Sequence, residues 1–370
     1  VITLEHGGDV YTEGLLKGKE LIDFSSNINP LGVPNSFKEN INEALESMER
    51  YPDVKYRNVK KHLKNYMKFI SSYFDLQNQS LEKSTIDEED IVLGNGAAEI
   101  IDLAISCFKS VCIVVPSFIE YEKNAEKWGC SIEYSYLKKD MTFDYKDIAL
   151  KMKNSEALII GNPNNPNGNV INKDKFKAIM DYCQKNNKII IVDEAFIEFT
   201  GKKGFSLLKD MEKYDCLFII KALTKFYAMP GIRMGYGVSK NKELIEKIKE
   251  KQNPWNINCF AEMAVKYILK DQQYIEESLK WIEEESYFTT HKLKSIDFIE
   301  KVYTTYSNFV LCKLKNIDCH KLYNLCLEKG IVIRKCDNFK GLNEEYVRFA
   351  IKDRQNNEKL IEVLNSLNKF

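Results

Sequence analysis

The residues of this chain with the chemistry to do work follow short apolar runs. "CLFII" leads to Thr224 and Lys225 in "KALTKFYAMPGIRMGYG" (221–237), with Arg233 farther along the same Gly-punctuated segment. A lysine in a dry or cationic site loses its proton near neutrality and can serve as nucleophile and base. An arginine offers phosphate a forked, charge-assisted contact. "IIIV" ends on Asp193, and a carboxylate closing an apolar run is expected to be buried and to want a cationic partner. "IVLG" leads to "NGAAE". There Gly96 permits close backbone approach, and Ala97 and Ala98 open a helix whose free N–H groups suit phosphate. "VCIVVP" leads to Phe118 at a ligand-facing position. "ALIIG" leads to "NPNNPNG" (162–168), whose prolines and asparagines fix a loop that aims Asn165 inward. Taken singly, each has an ordinary reading as a turn, a packed side chain or a solvated cation.

The elements that must position these residues are legible as a pattern. From residue 91 onward strand-length apolar runs recur at 91–94, 111–116, 157–161, 189–194, 216–221 and 234–238. Most are continuously apolar, the mark of strands buried on both faces. Helical stretches such as "AAEIIDLAISCFKS" alternate with them, which predicts a mostly parallel sheet covered by helices, an α/β fold. Ligands in such folds sit beyond the carboxyl ends of the strands, where the polar residues named above fall. After residue 245 the pattern shifts to two long helices (258–271, 273–295), then "FVLCKL" (309–314), a helix (318–329), "IVIRK" (331–335), "YVRFAI" (346–351) and a last helix (353–369). The expected organisation is an N-terminal arm (1–40) completing a small domain, a large domain (41–245) and a small α+β domain (246–370). The polar stretch 76–90 reads as a surface connection.

Bulk composition narrows the partners. The 370 residues carry 54 basic and 54 acidic side chains, so no global field favours nucleic acid or an anionic membrane. Neither a signal peptide nor a membrane span is predicted. The ten cysteines include no C-x-x-C pair and read as reduced core residues of a cytoplasmic protein. With four histidines and no ligand spacing, no metal site is expected. Cys319 and Cys326 read as packing on one helix face.

Together the ordered elements resemble the fold-type-I, pyridoxal-phosphate-dependent enzymes of the aspartate aminotransferase superfamily, over nearly the whole chain. The resemblance implies roles. Lys225 would bond the cofactor aldehyde, and Asp193 would pair with the pyridine nitrogen. Asn165 would hydrogen-bond the ring hydroxyl, and Phe118 would stack on the ring. Gly96, Ala97, Ala98, Thr224 and Arg233 would hold the cofactor phosphate. Tyr51, in "RYPD", matches a tyrosine that reaches the phosphate from a neighbouring subunit, which implies a homodimer with shared sites. Two positions depart from the pattern. Ala222 replaces a common phosphate-binding hydroxyl, and Phe196 replaces a tyrosine that donates to the ring hydroxyl.

Within the superfamily the chain is most similar to threonine-phosphate decarboxylases and to histidinol-phosphate aminotransferases. "EHGGDVY", "IDFSSNINPLGVP", "DEAFIEF" and "NPWNIN" look like the decarboxylases. The implied substrate is a small phosphorylated amino acid. Arg348 would grip its carboxylate and Arg334 its phosphate, with His6 and Asn29 nearby. A non-catalytic regulator built on this fold is the contrasting class. It usually carries a basic DNA-binding segment ahead of the enzyme-like part and tends to lose the lysine or aspartate; this chain has no such segment before residue 40 and keeps both residues.

Overall fold

Strands form where β-branched and aromatic runs can be covered. The computed structural model describes residues 7–73 and 86–367. In chain order the strands are β1 (Ile22–Asp23), β2 (Ile91–Asn95), β3 (Ser110–Val115), β4 (Ser131–Tyr136), β5 (Ala157–Gly161), β6 (Ile189–Asp193), β7 (Leu217–Ala222), β8 (Met234–Val238), β9 (Ile299–Val302), β10 (Phe309–Leu314), β11 (Ile331–Val332), β12 (Arg334–Lys335) and β13 (Tyr346–Ala350). Among the described residues a seven-stranded sheet runs in the order β2-β8-β7-β6-β5-β3-β4. From β7 to β4 the neighbours are parallel. β8 is antiparallel to both its neighbours.

Both faces of this sheet are dry, which explains the continuous apolar runs. In β5, Leu158 and Ile160 enter one core while Ala157 and Ile159 enter the other. Fully burying a leucine or isoleucine such as these stabilises by about 1.5–3 kcal/mol. The covering helices follow the 3.6-residue period. Lys173–Lys185 buries Phe176, Ile179, Met180 and Cys183, and its Asn172 side chain caps it at Lys175 N. Gln272–Leu293 starts on Asp271, which accepts from Tyr274 N.

A second sheet has the order β12-β13-β10-β9 and is antiparallel. The early segment joins this part of the chain through β1, which pairs in parallel with β11. Helix Cys259–Ile268 packs back on the helices within residues 35–73.

Three details differ from the sequence reading. β4 is mostly half-buried because it is an edge strand, so it lacks the continuous apolar signature. β9 is short and half-exposed. "IVIRK" is not one strand: it splits at Ile333, and its halves pair with β1 and β13. The expected 76–90 connection lies mostly outside the described residues.

Candidate active site

Five strand ends converge on one cavity of about 300 Å³. Lys225, Asp193, Asn165, Phe118, Ala97, Ala98, Thr224 and Arg233 all line it, and so do Arg334 and Arg348 from the second sheet. The floor is local in origin: each residue follows a buried strand whose register is set by its neighbours.

Asp193 ends β6 and is half-buried on the cavity. Tyr121 Oη donates to its Oδ2 at 2.6 Å and Ala195 N donates to its Oδ1 at 3.0 Å. Burial pushes the carboxyl above its ordinary range, against the lowering by Tyr121. Among the described residues it has no ion-pair partner, so a half-buried anion stands open to a cationic ligand. Lys225 lies in the loop after β7. Burial first, then the Arg348 cation, lowers its ammonium from 10.5 to about 8. The neutral amine is therefore within reach near neutrality. Its Nζ stands 5.9 Å from the centroid of Phe196.

The anion cup is assembled from three segments. Helix Ala97–Ile105 starts at Gly96 without a side-chain cap, leaving its first N–H groups free for a ligand. Gly96 has φ +78°, and a Cβ there would fall 2.4 Å from Arg233 Nη2. Gly235 is as constrained, since its Cβ would fall 2.4 Å from Ala97 N. Arg233 itself is left-handed, with φ 58°, and donates to Asn95 O at 3.3 Å. An uncapped helix end, a forked cation, a lone half-buried carboxylate and a depressed lysine fit pyridoxal phosphate group for group.

At the opposite wall Arg334 and Arg348 are register partners across β12 and β13. Both are buried. Arg348 donates to Ser25 O at 2.6 Å and to Asn165 Oδ1. Its Nε has no partner among the described residues. Burial, with Arg334 as a further cause, lowers its guanidinium to about 10. Arg334 donates to Asn338 Oδ1 at 2.8 Å and lies over the Phe339 ring at 4.8 Å.

One expected residue stands elsewhere. Asn29 is not on the cavity. Its amide donates to Phe226 O and to Ser278 Oγ, both at 2.8 Å, and its backbone N donates to Lys225 O at 3.1 Å. It therefore staples the early segment to the lysine loop, with no donor left for a substrate. Asn27, two residues earlier, lines the cavity with Ser25 and Ser26, and its buried Oδ1 has no partner among the described residues. Tyr51 lies off the cavity of its own chain, 79% exposed and 4.8 Å from Trp255. His6 lies outside the described residues. Tyr121 is the residue that the sequence reading missed; a second aromatic three positions after Phe118 was its only signal. The fold also brings the Asp337 carboxylate to the adjacent Cys319 and His320, with one potential ligand atom from each within 4.8 Å of the others.

Among the described residues no helix is long and apolar enough to cross a membrane. The family described as aminotransferase class I and II matches residues 19–364. A protein of Caldanaerobacter subterraneus, provisionally named a threonine-phosphate decarboxylase, is 37% identical over 98% of this chain and 94% of its own. The threonine-phosphate decarboxylase of Salmonella typhimurium is 31% identical, over 98% of this chain and 96% of its own. The crystal structure of the histidinol-phosphate aminotransferase from Clostridium acetobutylicum superposes with a TM-score of 0.88, at 51% identity over 94% of this chain and 99% of that one.

Proposed function

The chain belongs to the class I and II aminotransferase family, and on that premise we propose that it decarboxylates L-threonine O-3-phosphate. The products are (R)-1-amino-2-propanol O-2-phosphate and carbon dioxide, as in cobalamin biosynthesis. The cofactor is pyridoxal 5′-phosphate. Bound, it draws off the electrons of the substrate bond that breaks.

The protein's own groups do the rest. Gly96, Ala97, Ala98, Thr224 and Arg233 hold the cofactor phosphate. Asp193 keeps the ring nitrogen protonated, and the Tyr121 hydrogen bond favours its ionised form. Phe118 stacks on the ring, and Asn165 bonds its hydroxyl. Lys225 Nζ holds the aldehyde and then returns a proton to the substrate Cα. Arg348 takes the substrate carboxylate and Arg334 its phosphate. The observation that carries the substrate class is the pairing of these two arginines. Like charges opposite one another in a buried sheet destabilise it, and a ligand with two anionic ends relieves both.

Transamination of histidinol phosphate is the second reading. The 51% identity to the Clostridium acetobutylicum aminotransferase favours it. The same Lys225 Nζ would then carry a proton away from Cα, so the two reactions differ in substrate orientation. The relatives named as decarboxylases, and the Phe196 and Pro254-Trp255 positions, favour decarboxylation. The test is carbon dioxide release from L-threonine O-3-phosphate by cofactor-loaded protein without a keto acid. Sustained release with aminopropanol phosphate as product is expected. No release, with turnover of histidinol phosphate and 2-oxoglutarate, would replace this reading by the second.

The assembly we propose is a homodimer with shared sites. Tyr51 and Met48 stand exposed, and Tyr51 of a second copy would reach the phosphate cup. The unpaired cysteines fit a reducing, cytoplasmic setting. We divide the chain into an arm (1–40), a large cofactor domain (41–245) and a small domain (246–370).

A further inference from the structure

Asp23, at the end of β1, binds neither the cofactor nor the substrate in the reading above, yet its carboxylate is heavily used. Its Oδ1 accepts from Ser25 N at 2.7 Å, Ser25 Oγ at 2.6 Å and Ser26 N at 3.2 Å, and its Oδ2 accepts from Ser26 Oγ. Four donors on one carboxylate fold residues 23–26 into a tight Asx-type turn. The turn aims two carbonyls at two cations. Ser25 O accepts from Arg348 Nη2 at 2.6 Å, and Ser26 O accepts from Lys352 Nζ at 3.3 Å. Gly8 N donates to Ser25 Oγ at 2.7 Å, which ties the arm to the same turn. Asp23 is also the negative charge that faces Lys225, Arg348 and Lys352 together.

We propose that Asp23 is the positioning residue for the substrate's carboxylate: its turn fixes the Ser25 carbonyl that orients Arg348. The proposal rests on the assignment of Arg348 to the substrate carboxylate. A guanidinium forks usefully only when its plane is held, and the plane of Arg348 is set by the Ser25 carbonyl on one side and Asn165 on the other. Without the turn, Ser25 O loses its fixed place and the grip loosens. The strand hydrogen bonds of this segment come from the backbone of Ile22, Phe24 and Ala350, so the fold does not depend on the Asp23 side chain.

The experiment compares two ligands that differ in the carboxylate, L-threonine O-3-phosphate and 1-amino-2-propanol O-2-phosphate. Each is mixed rapidly with holoenzyme over a range of concentrations, and affinity is read from the initial change in cofactor absorbance, before turnover converts the first ligand into the second. In Asp23→Ala the carboxylated ligand is expected to weaken by about 10- to 100-fold, and the ligand without it by less than about 3-fold. The melting temperature and cofactor content report folding in the same samples. Asp23→Glu keeps the charge but cannot close the turn, and is expected to behave like the alanine variant. Equal weakening of both ligands in Asp23→Ala, or wild-type affinity in Asp23→Glu, would overturn the positioning role. Equal wild-type affinity for the two ligands would overturn the carboxylate grip and the proposal with it. Failure of the decarboxylase reading is separate: it appears as absent carbon dioxide release while the ligand comparison still stands.

Discussion

The cofactor floor and the substrate wall of the cavity are built in opposite ways. The floor takes its residues from the carboxyl ends of neighbouring strands in one sheet: the backbone ladder reaches Asp193 itself, and Lys225 follows three residues after the end of β7. The wall takes its residues from segments that meet only in three dimensions: the turn after β1, the loop holding Asn165, and the β12–β13 pair. The floor is rigid because its register is rigid. The wall is only as precise as the side-chain contacts that join its parts. Changes to the floor should therefore strike the chemistry, and changes to the wall should strike affinity for the substrate's anionic groups.

The largest expected effect is in the floor. Lys225→Ala should abolish turnover, by about 10⁴-fold or more, and should leave no borohydride-reducible bond to the cofactor. A retained covalent adduct would refute the assignment. Asp193→Asn is next, with kcat expected to fall about 10²- to 10³-fold while the cofactor still binds. The ammonium of Lys225, lowered to about 8 by burial and Arg348, sharpens the same point. Because the neutral amine reacts, covalent loading of apoprotein should accelerate as pH rises and level off above about pH 8. A midpoint near 10.5 would show that the pocket does not depress the lysine.

The wall should answer differently. Arg348→Ala should raise KM for the substrate by about 10²-fold, with the cofactor spectrum intact. A fall confined to kcat would erase the distinction between the regions. The smallest effect is expected at Tyr121→Phe, which leaves Asp193 half-buried but removes one donor. Turnover should drop about 10-fold or less. Tyr121 lowers the Asp193 carboxyl, so its loss should raise that pKa and move the acid limb of the pH profile to higher pH. An unmoved acid limb would detach Tyr121 from the floor.

Legibility in the sequence follows the same division. Each floor residue sits directly behind an apolar run, and the run announces both the strand and the end where a ligand belongs. That is why Lys225, Asp193, Asn165 and the Gly96 turn could be read one segment at a time. The edge strand β4 escaped because its partial exposure breaks the continuous pattern. Tyr121 escaped because it follows Phe118 as a second aromatic, and nothing local says that its hydroxyl meets a carboxylate seventy-two residues away.

What the sequence by itself determined was the order of buried strands and covering helices, and with it the place and chemistry of the cofactor floor. Hydrophobic periodicity is a local property, so a single chain displays it. Only the tertiary structure decided that Arg334 and Arg348 lie side by side across two strands. It alone decided that Asn29 serves the lysine loop while Asn27 faces the cavity, and that Asp23 folds the turn that holds an arginine of β13. Those facts depend on which backbone groups remain unsatisfied once distant segments meet, and no local pattern encodes that.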